Sequence, residues 1–524
     1  MSTGLPQVVS PLSEFAIIVN SKDNVAVVKK PTLPDLEVVM PEGRQVVIKS
    51  AVPPGHRFAT RDIPAGEFVR QYGQPIGTSL GIREGEYVSH DNMTDEVPVV
   101  SDIPAALQTA APDYFPELER ATFKGFRRPD GRVGTRNYLL IVPTSTCASH
   151  EAQQISMIAE FTLYKREKYP NVDGVVAIPH NKGCGCQDGS TIEVMLRTLS
   201  NYADHPNVGG VILMDLGCEK TNLAKVEKYL LKRDKQFNKP VAKIGIQDVG
   251  GTEAAIARGL KEVEAMLPQI NEATREECSI SELVLAVKCG SSDGFSGISA
   301  NPSLGRAADL LVRSGGTVLI TEVPEFCGAE HVLALRARDT ETARRIYQMV
   351  DWYKDYASKF GAVLNQNPSP GNVSGGLLNI TIKSLGAIAK AGTTRIEGVV
   401  EYAETPTQRG VNLMQGPGYD QESTPGLVGA GATLVVFTTG RGTTIGNAIA
   451  PVVKLCSNTP RFERMARDLD LSAGGVIDGT ETIEEVGERV FEHIRRVASG
   501  EVLALAEEHK HREFQFWAEQ TVSL

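Results

Sequence analysis

The sequence predicts a small β-rich N-terminal domain followed by two α/β domains with mainly parallel sheets. Three observations predict it. Short β-type runs broken by Gly- and Pro-containing turns fill residues 14–93. From Phe123 onward, short apolar runs alternate with helical segments, the pattern of βα units. Most of those runs end in a loop rich in Gly, Ser, Cys or acidic residues, as the mouths of parallel strands do.

In order, FAIIV (15–19), VAVV (25–28) and QVVIK (45–49) are strands of the first domain, and His56 follows a Pro-Pro-Gly turn. Residues 94–120 carry Pro, Ala and acidic side chains in linker proportions. The second domain, 121–275, has four βα units. YLLIV (138–142) leads to Cys147, and GVVAI (174–178) to His180 and Cys184. GVILM (210–214) leads to Cys218 and Glu219, and VAKIG (241–245) to a Gly-rich turn. The third domain, 276–524, opens with LVLAV (283–287) and the loop KCGSSDGFSGISANP (288–302). It continues through TVLI (317–320), TLVVF (433–437) with the loop TTGRGT, and VVKLC (452–456), and ends from Glu481 in amphipathic helix.

A net charge of −10 with 23% charged and 41% apolar residues suits a soluble globular chain. It argues against nucleic acid or an anionic membrane as partner. No apolar run reaches the roughly 20 residues of a membrane span. MSTGLPQVVSPLSEF lacks the basic and apolar regions of a secretory signal, so the expected location is cytoplasmic. The eight Cys then read as reduced thiols.

Chemistry concentrates at the strand ends, where Cys147, His180, Cys184, Cys218, Glu219, Cys289, Asp293, Glu322 and Arg441 all fall. One buried Cys is ordinarily a small hydrophobe. Four at four strand ends, each beside Gly or polar loop residues, are harder to explain that way. His180 and Cys184 permit joint metal ligation without specifying it, and no second Cys pair stands at zinc-ribbon spacing. Such soft donors with a few carboxylates suit iron or zinc better than magnesium. His56 becomes an acid, base or ligand if its domain docks over the strand ends. Arg441 and the surrounding backbone N–H groups form a carboxylate or phosphate cradle. Lys383 and Lys390 share a helix face, which reads most simply as solvated. There is no Walker loop and no dinucleotide fingerprint.

KCGSSDGFSGISANP, EVPEFCGAE, NPSPGN, KSLGAIAKAG, FTTGRGT and DLGCE together resemble the altronate and galactarate dehydratases. VPPGHRFATRDIPAGEFVRQYGQPIG resembles that family's SAF-type β-clip domain. The resemblance runs from about residue 14 through nearly the whole chain. It implies a sugar-acid hydro-lyase removing water across C2–C3, most simply from altronate, with galactarate or a sulfolactate-type lyase reaction as alternatives. It also implies a divalent metal, iron(II) first and manganese(II) second; an iron–sulfur cluster on the loop thiols is a further variant. A homodimer is expected.

Residue by residue, His56 matches the family's Gly-His, His180 and Cys184 its His-x-x-Gly-Cys, and Cys218 and Glu219 its Gly-Leu-Gly-Cys-Glu. Cys289 and Asp293 match its Cys-Gly-x-Ser-Asp, and Cys147 a Cys present in relatives. Two departures stand out: Lys182 where relatives often carry Tyr, and FTTGRGTT where Thr-Gly-Arg-Gly-Thr-Pro is usual. EVPEFCGAE and GLVGAGATLVVF lean to altronate dehydratases and ETIEEVGERVF to galactarate dehydratases. The expected site therefore has His56, His180, Glu219 and Asp293 as acid/base groups. His180, Cys147, Cys184, Cys218 and Cys289 supply metal ligands. Ser291, Ser292, Asn301, Lys383 and Arg441 hold the substrate's oxygens.

Overall fold

The computed structural model describes residues 10–100, 102–233 and 237–519. Residue 101 of the expected linker and 520–524 of the last domain lie outside them.

The N-terminal domain is built from three small sheets of three strands each. Its sharpest hairpin joins Phe68–Gln71 to Gln74–Ser79 through Tyr72 and Gly73, both at positive φ. Such a turn matches the twist of paired strands. Asp23 holds it by accepting the Gly73 N–H at 2.7 Å. The sequence reading missed the strand Arg57–Ala59, which His56 immediately precedes.

The second domain is a parallel sheet in the order Gly174–Ala177, Tyr138–Pro143, Val208–Asp215, Val241–Gly245. Helices Ser149–Thr162 and Thr252–Ile270 share one core with it, and Ser190–Ala203 packs into the core on the other side. Burial on both faces explains the near-continuous apolar strands. A short antiparallel sheet pairs Thr122–Arg127 with Glu276–Ser279, clasping the start of this domain to its end.

The third domain carries a seven-stranded, all-parallel sheet. The order is Ile396–Val400, Gly410–Met414, Thr317–Ile320, Val284–Cys289, Leu434–Thr439, Val452–Cys456, Leu471–Ser472. Four of these strands coincide with the sequence reading, whereas Ile396–Val400, Gly410–Met414 and Leu471–Ser472 were not anticipated.

The C-terminal stretch departs from the expected helix. Ile483–Ala498 is helical, but residues 511–518 have no helix. Phe514, Phe516 and Trp517 are buried in a core shared by both large sheets. Arg512 and Lys510 each reach Glu160 at 2.9 Å, fixing this tail on the second domain.

The linker region lies on the third domain: Gln108 donates its N–H to Leu335 and Phe115 to Arg313. The N-terminal domain also docks there. Its Val25, Ile76 and Met93 join the third domain's main core, and Asn379 donates to the Ile76 carbonyl at 2.8 Å. Among the described residues, no helix is long and apolar enough to cross a membrane.

Candidate active site

Lys288 and Cys289 close the central strand Val284–Cys289 of the seven-stranded sheet, and Glu322 follows its neighbour Thr317–Ile320. Around them lies a buried ring of charge. Lys288 pairs with Glu322 and, at 2.7 Å, with Asp420. Lys390 pairs with Glu322 at 2.9 Å and donates to the Cys289 sulfur at 3.1 Å. Lys383 pairs with Glu325 at 2.8 Å, and the Cys289 Sγ lies 3.3 Å from Glu325. Lys383 and Lys390 do share a face, but it is an interior one, with 8% and 0% exposure. That overturns the solvated-face reading: three ammoniums offset three carboxylates, so each charge has a partner inside the fold.

Burial, then Glu322, pushes the Cys289 thiol far up, so it is neutral near pH 7. Burial works against the Glu325 carboxylate, but Lys383, Lys390 and Lys288 outweigh it and hold the group down to about 2. Burial raises the Glu322 carboxyl against the pull of Lys288 and Lys390. Cys289, Glu322 and Glu325 have ligand-type atoms within 4.8 Å of one another. In this structure those ligand atoms are engaged by the ammoniums of Lys288, Lys383 and Lys390. Cys289, expected as a metal ligand, lies in this group rather than with Cys147, Cys184 and Cys218. Sequence reasoning missed Lys288, Glu325 and Asp420; a Lys inside the buried run LVLAVKC was the available signal.

A hydrogen-bonded chain leads outward from this ring. Lys383 donates to Asn372 at 3.3 Å, and Asn372 donates to the Ser292 carbonyl at 2.8 Å. Over the 371–376 loop, whose first residues complete the short helix Pro370–Ser374, sits the N-terminal domain, with Gly55 against Gly294 and Gly375. Arg57 donates to the Gln71 side chain at 2.8 Å within its own domain. The His56 Nε2 lies 3.2 Å from the Ser374 carbonyl, and the Tyr87 hydroxyl 2.7 Å from its Nδ1. Burial lowers the His56 pKa below the ordinary imidazole value, with Arg57 adding to the effect and the Ser374 carbonyl opposing it. Exposed Arg441 donates to the Gly371 carbonyl at 3.1 Å and to the Ser374 hydroxyl at 3.0 Å. His56 and Arg441 therefore meet at one loop, through Ser374, and Tyr87 joins them unforeseen.

Other expected residues are occupied by the fold. Asp293 accepts from the Phe295 and Ser296 N–H groups, the Ser296 and Ser457 hydroxyls and the Asn458 amide, pinning its loop. Asn301 accepts from Thr438 at 2.6 Å and donates to the Gly386 carbonyl at 2.9 Å. Ser292 is buried, while Ser291 is exposed at φ 50° with its carbonyl taking the Gly440 and Arg441 N–H groups.

The second group of strand ends belongs to the four-stranded sheet. Cys147, Cys184 and Cys218 are exposed there, whereas Cys186 turns into the core. Glu219 binds the loops together: it accepts from Ser145 at 2.9 Å and from the Leu216 and Gly217 N–H groups at 2.7 Å. Those donors overcome burial and lower its pKa. His180 is buried, with Nε2 3.0 Å from the Pro143 carbonyl and Nδ1 accepting from the Lys182 N–H at 3.2 Å. Burial drops it to about 4, so it is a neutral ring with both nitrogens engaged, packed on Phe516 at 4.9 Å. Among the described residues, no three of His180, Cys147, Cys184 and Cys218 bring ligand atoms within 4.8 Å of one another.

The two strand-end groups are neighbours. Helix Asp420–Gly429 begins at the partner of Lys288. Its Glu422 feels the Lys182 charge and accepts from Gln515 at 3.3 Å, next to the Phe516 that covers His180.

Comparison with known proteins bears on what this arrangement is. Residues 14–96 match the altronate/galactarate dehydratase SAF domain. Residues 125–271 match the D-galactarate dehydratase/altronate hydrolase second domain, and 280–522 the D-galactarate/altronate dehydratase C-terminal domain. The chain is 37% identical to galactarate dehydratase (L-threo-forming) of Escherichia coli K12 over 93% of each chain. It is 36% identical to altronate dehydratase of Bacillus subtilis 168, over 88% of this chain and 90% of that one. It is 33% identical to the (2R)-sulfolactate sulfo-lyase subunit beta of Chromohalobacter salexigens, over 76% of this chain and 97% of the relative. With all three parts matched in order and the N-terminal domain seated over the strand ends, the chain belongs to the altronate/galactarate dehydratase family of sugar-acid hydro-lyases.

Proposed function

We propose that this enzyme removes water across C2–C3 of altronate, giving 2-dehydro-3-deoxy-gluconate, with galactarate as the second substrate to test. The reading is carried by one observation, the seating of His56 and Tyr87 on the loop that Arg441 also reaches. Arg441 offers a fixed cation to the substrate carboxylate, and exposed Ser291 offers a hydroxyl to the sugar oxygens.

The C2 proton is weakly acidic and needs a base. His56, neutral because buried, accepts it through Nδ1, with the Tyr87 hydroxyl as relay. The electron pair forms the C2=C3 bond, the C3–O bond breaks, and the hydroxide leaves as water after taking a proton. The enol then tautomerises to the 2-keto acid, taking a solvent proton at C3.

Iron is the metal proposed, with manganese second, and the exposed thiols Cys147, Cys184 and Cys218 at neighbouring strand ends are the soft donors offered for it. Bound there, it would supply the positive charge that an enediolate and a leaving hydroxyl require.

The test is turnover of altronate, galactarate and sulfolactate by anaerobically prepared protein, read as 2-keto-3-deoxy product. Altronate turnover that falls with chelation and returns with iron(II) is expected. Turnover of sulfolactate alone, or full activity after exhaustive chelation, would sink the corresponding part.

A further inference from the structure

A cavity of about 380 Å³ lies between the second and third domains. Helix Ser190–Ala203 lines it with Arg197, and helix Thr340–Ser358 with Arg345 and Trp352. Tyr402 and Gln415, just past the ends of Ile396–Val400 and Gly410–Met414, add to the wall, as does Trp517 of the C-terminal tail. The size is that of a small-molecule site. None of the lining residues belongs to the lysine ring, the thiol-bearing loops or the 371–376 loop that His56 and Arg441 share.

The polar groups of this wall are short of partners. Gln415 is 7% exposed, yet its side-chain Oε1 has no hydrogen-bond partner, a rare state for a buried amide. Arg197 donates from Nε to the Tyr402 carbonyl at 2.8 Å. Among the described residues, neither Arg197 nor Arg345 forms an ion pair with a carboxylate. Two such guanidiniums call for a carboxylate on the ligand. The amide, with exposed Glu193 and Glu401 beside it, calls for hydroxyls. The rings of Trp352 and Trp517 stand edge to face at 5.9 Å, and Tyr402 meets Trp517 at 5.6 Å, which gives a flat apolar surface for C–H groups. A neutral sugar would leave the guanidiniums without a carboxylate. A simple carboxylate would leave the amide and the glutamates without donors.

We propose that this cavity is a second binding site, for a polyhydroxy carboxylic acid, outside the proposed catalytic site. The inference stands on the cavity's own groups and goes beyond the dehydratase reading. Its wall is continuous with both strand-end groups. Thr321, next to Glu322, donates to the Met414 carbonyl at 2.8 Å, and the Val323 N–H donates to the Gly416 carbonyl at 3.2 Å, one on each side of Gln415. Trp517 follows Phe516, the ring packed on His180. A ligand bridging Arg197 and Arg345 therefore ties the second domain to the third beside the elements that carry both groups.

The chain has two tryptophans and both line this cavity, so its intrinsic emission reports on the site. The test is fluorescence titration of the full-length protein with gluconate, glucose and acetate, with calorimetry alongside. A saturable change with gluconate is expected, with glucose and acetate silent. Arg345→Ala and Gln415→Leu should each weaken gluconate binding by about tenfold or more. His56→Ala and Arg441→Ala, altered at the proposed catalytic site, should keep the response. Should Gln415→Leu fail to fold, Arg345→Ala decides together with acrylamide quenching of the wild type, in which gluconate should shield the tryptophans. No saturable change, an equal response to glucose or acetate, or full-strength binding in Arg345→Ala overturns the site. So does a response lost in Arg441→Ala but kept in Arg345→Ala, which would place the ligand at the catalytic loop. Gluconate binding here without turnover of any sugar acid would remove the dehydratase reading and leave this site standing.

Discussion

Lys390 shows what a single residue carries here. Its ammonium meets Glu322 and the Cys289 sulfur, with no exposure. Lys390→Met leaves an uncompensated buried carboxylate and should destabilise the protein by about 3–5 kcal/mol, measured by urea unfolding. Adding Glu322→Gln should recover part of that loss; strict additivity would show the ring is not coupled. His56 is the proposed base. His56→Ala should lower kcat by about 10²–10⁴-fold with a smaller change in KM. Because burial depresses its pKa, the imidazole is the base above that value and is lost as pH falls through it. The acid limb of the kcat/KM profile should therefore lie below the ordinary imidazole range and vanish in the variant. His56 was singled out from its Gly-His setting. Its partners were not, because Tyr87 and Ser374 come to it only through folding, one from 31 and the other from 318 residues away.

At the scale of elements, the contact between the N-terminal domain and the 371–376 loop is made backbone to backbone. A Cβ on Gly55 would meet the Gly375 oxygen at 2.6 Å, and its φ of +81° already strains any other residue. Gly66, at φ +87°, has nothing within 4 Å of such a Cβ and serves as the control. Both Gly→Ala changes should cost about 1–2 kcal/mol for the backbone. Only Gly55→Ala should also lose most of the turnover, because it lifts His56 from the loop. Equal activity in the two variants would contradict this docking role. The uninterrupted apolar runs were readable as strands, as Val25–Val28, Thr317–Ile320 and the start of Val284–Cys289 show. Ile396–Val400 and Gly410–Met414 escaped because each is broken for the eye: Glu397 and Gly398 interrupt one, Asn412 the other. The structure accommodates them with a register shift at Ile396/Gly398 and by turning Asn412 onto the Gln408 carbonyl.

Across the whole molecule, domain order and the gathering of polar loops at parallel strand ends followed from periodicity and loop composition. What sequence could not divide was the set of strand ends. The two large sheets share a core yet present separate groups. One is a closed ring of lysines and carboxylates around Cys289, and the other a trio of exposed thiols. A list of Cys residues at strand ends looks the same in both cases, since burial and ammonium partners are decided by folding. Helix Asp420–Gly429 links the two groups, with Asp420 on Lys288 and Glu422 near Lys182.

The central claim is that the chain makes an enol from a sugar acid by removing the C2 proton and the C3 hydroxyl. The most direct measurement is the NMR spectrum of product formed from altronate by anaerobically prepared enzyme in D2O, sampled early. A 2-keto-3-deoxy acid carrying a single solvent-derived deuterium at C3 is the predicted result. Absence of that product, or a product whose C3 received the substrate's own C2 hydrogen, would contradict the account.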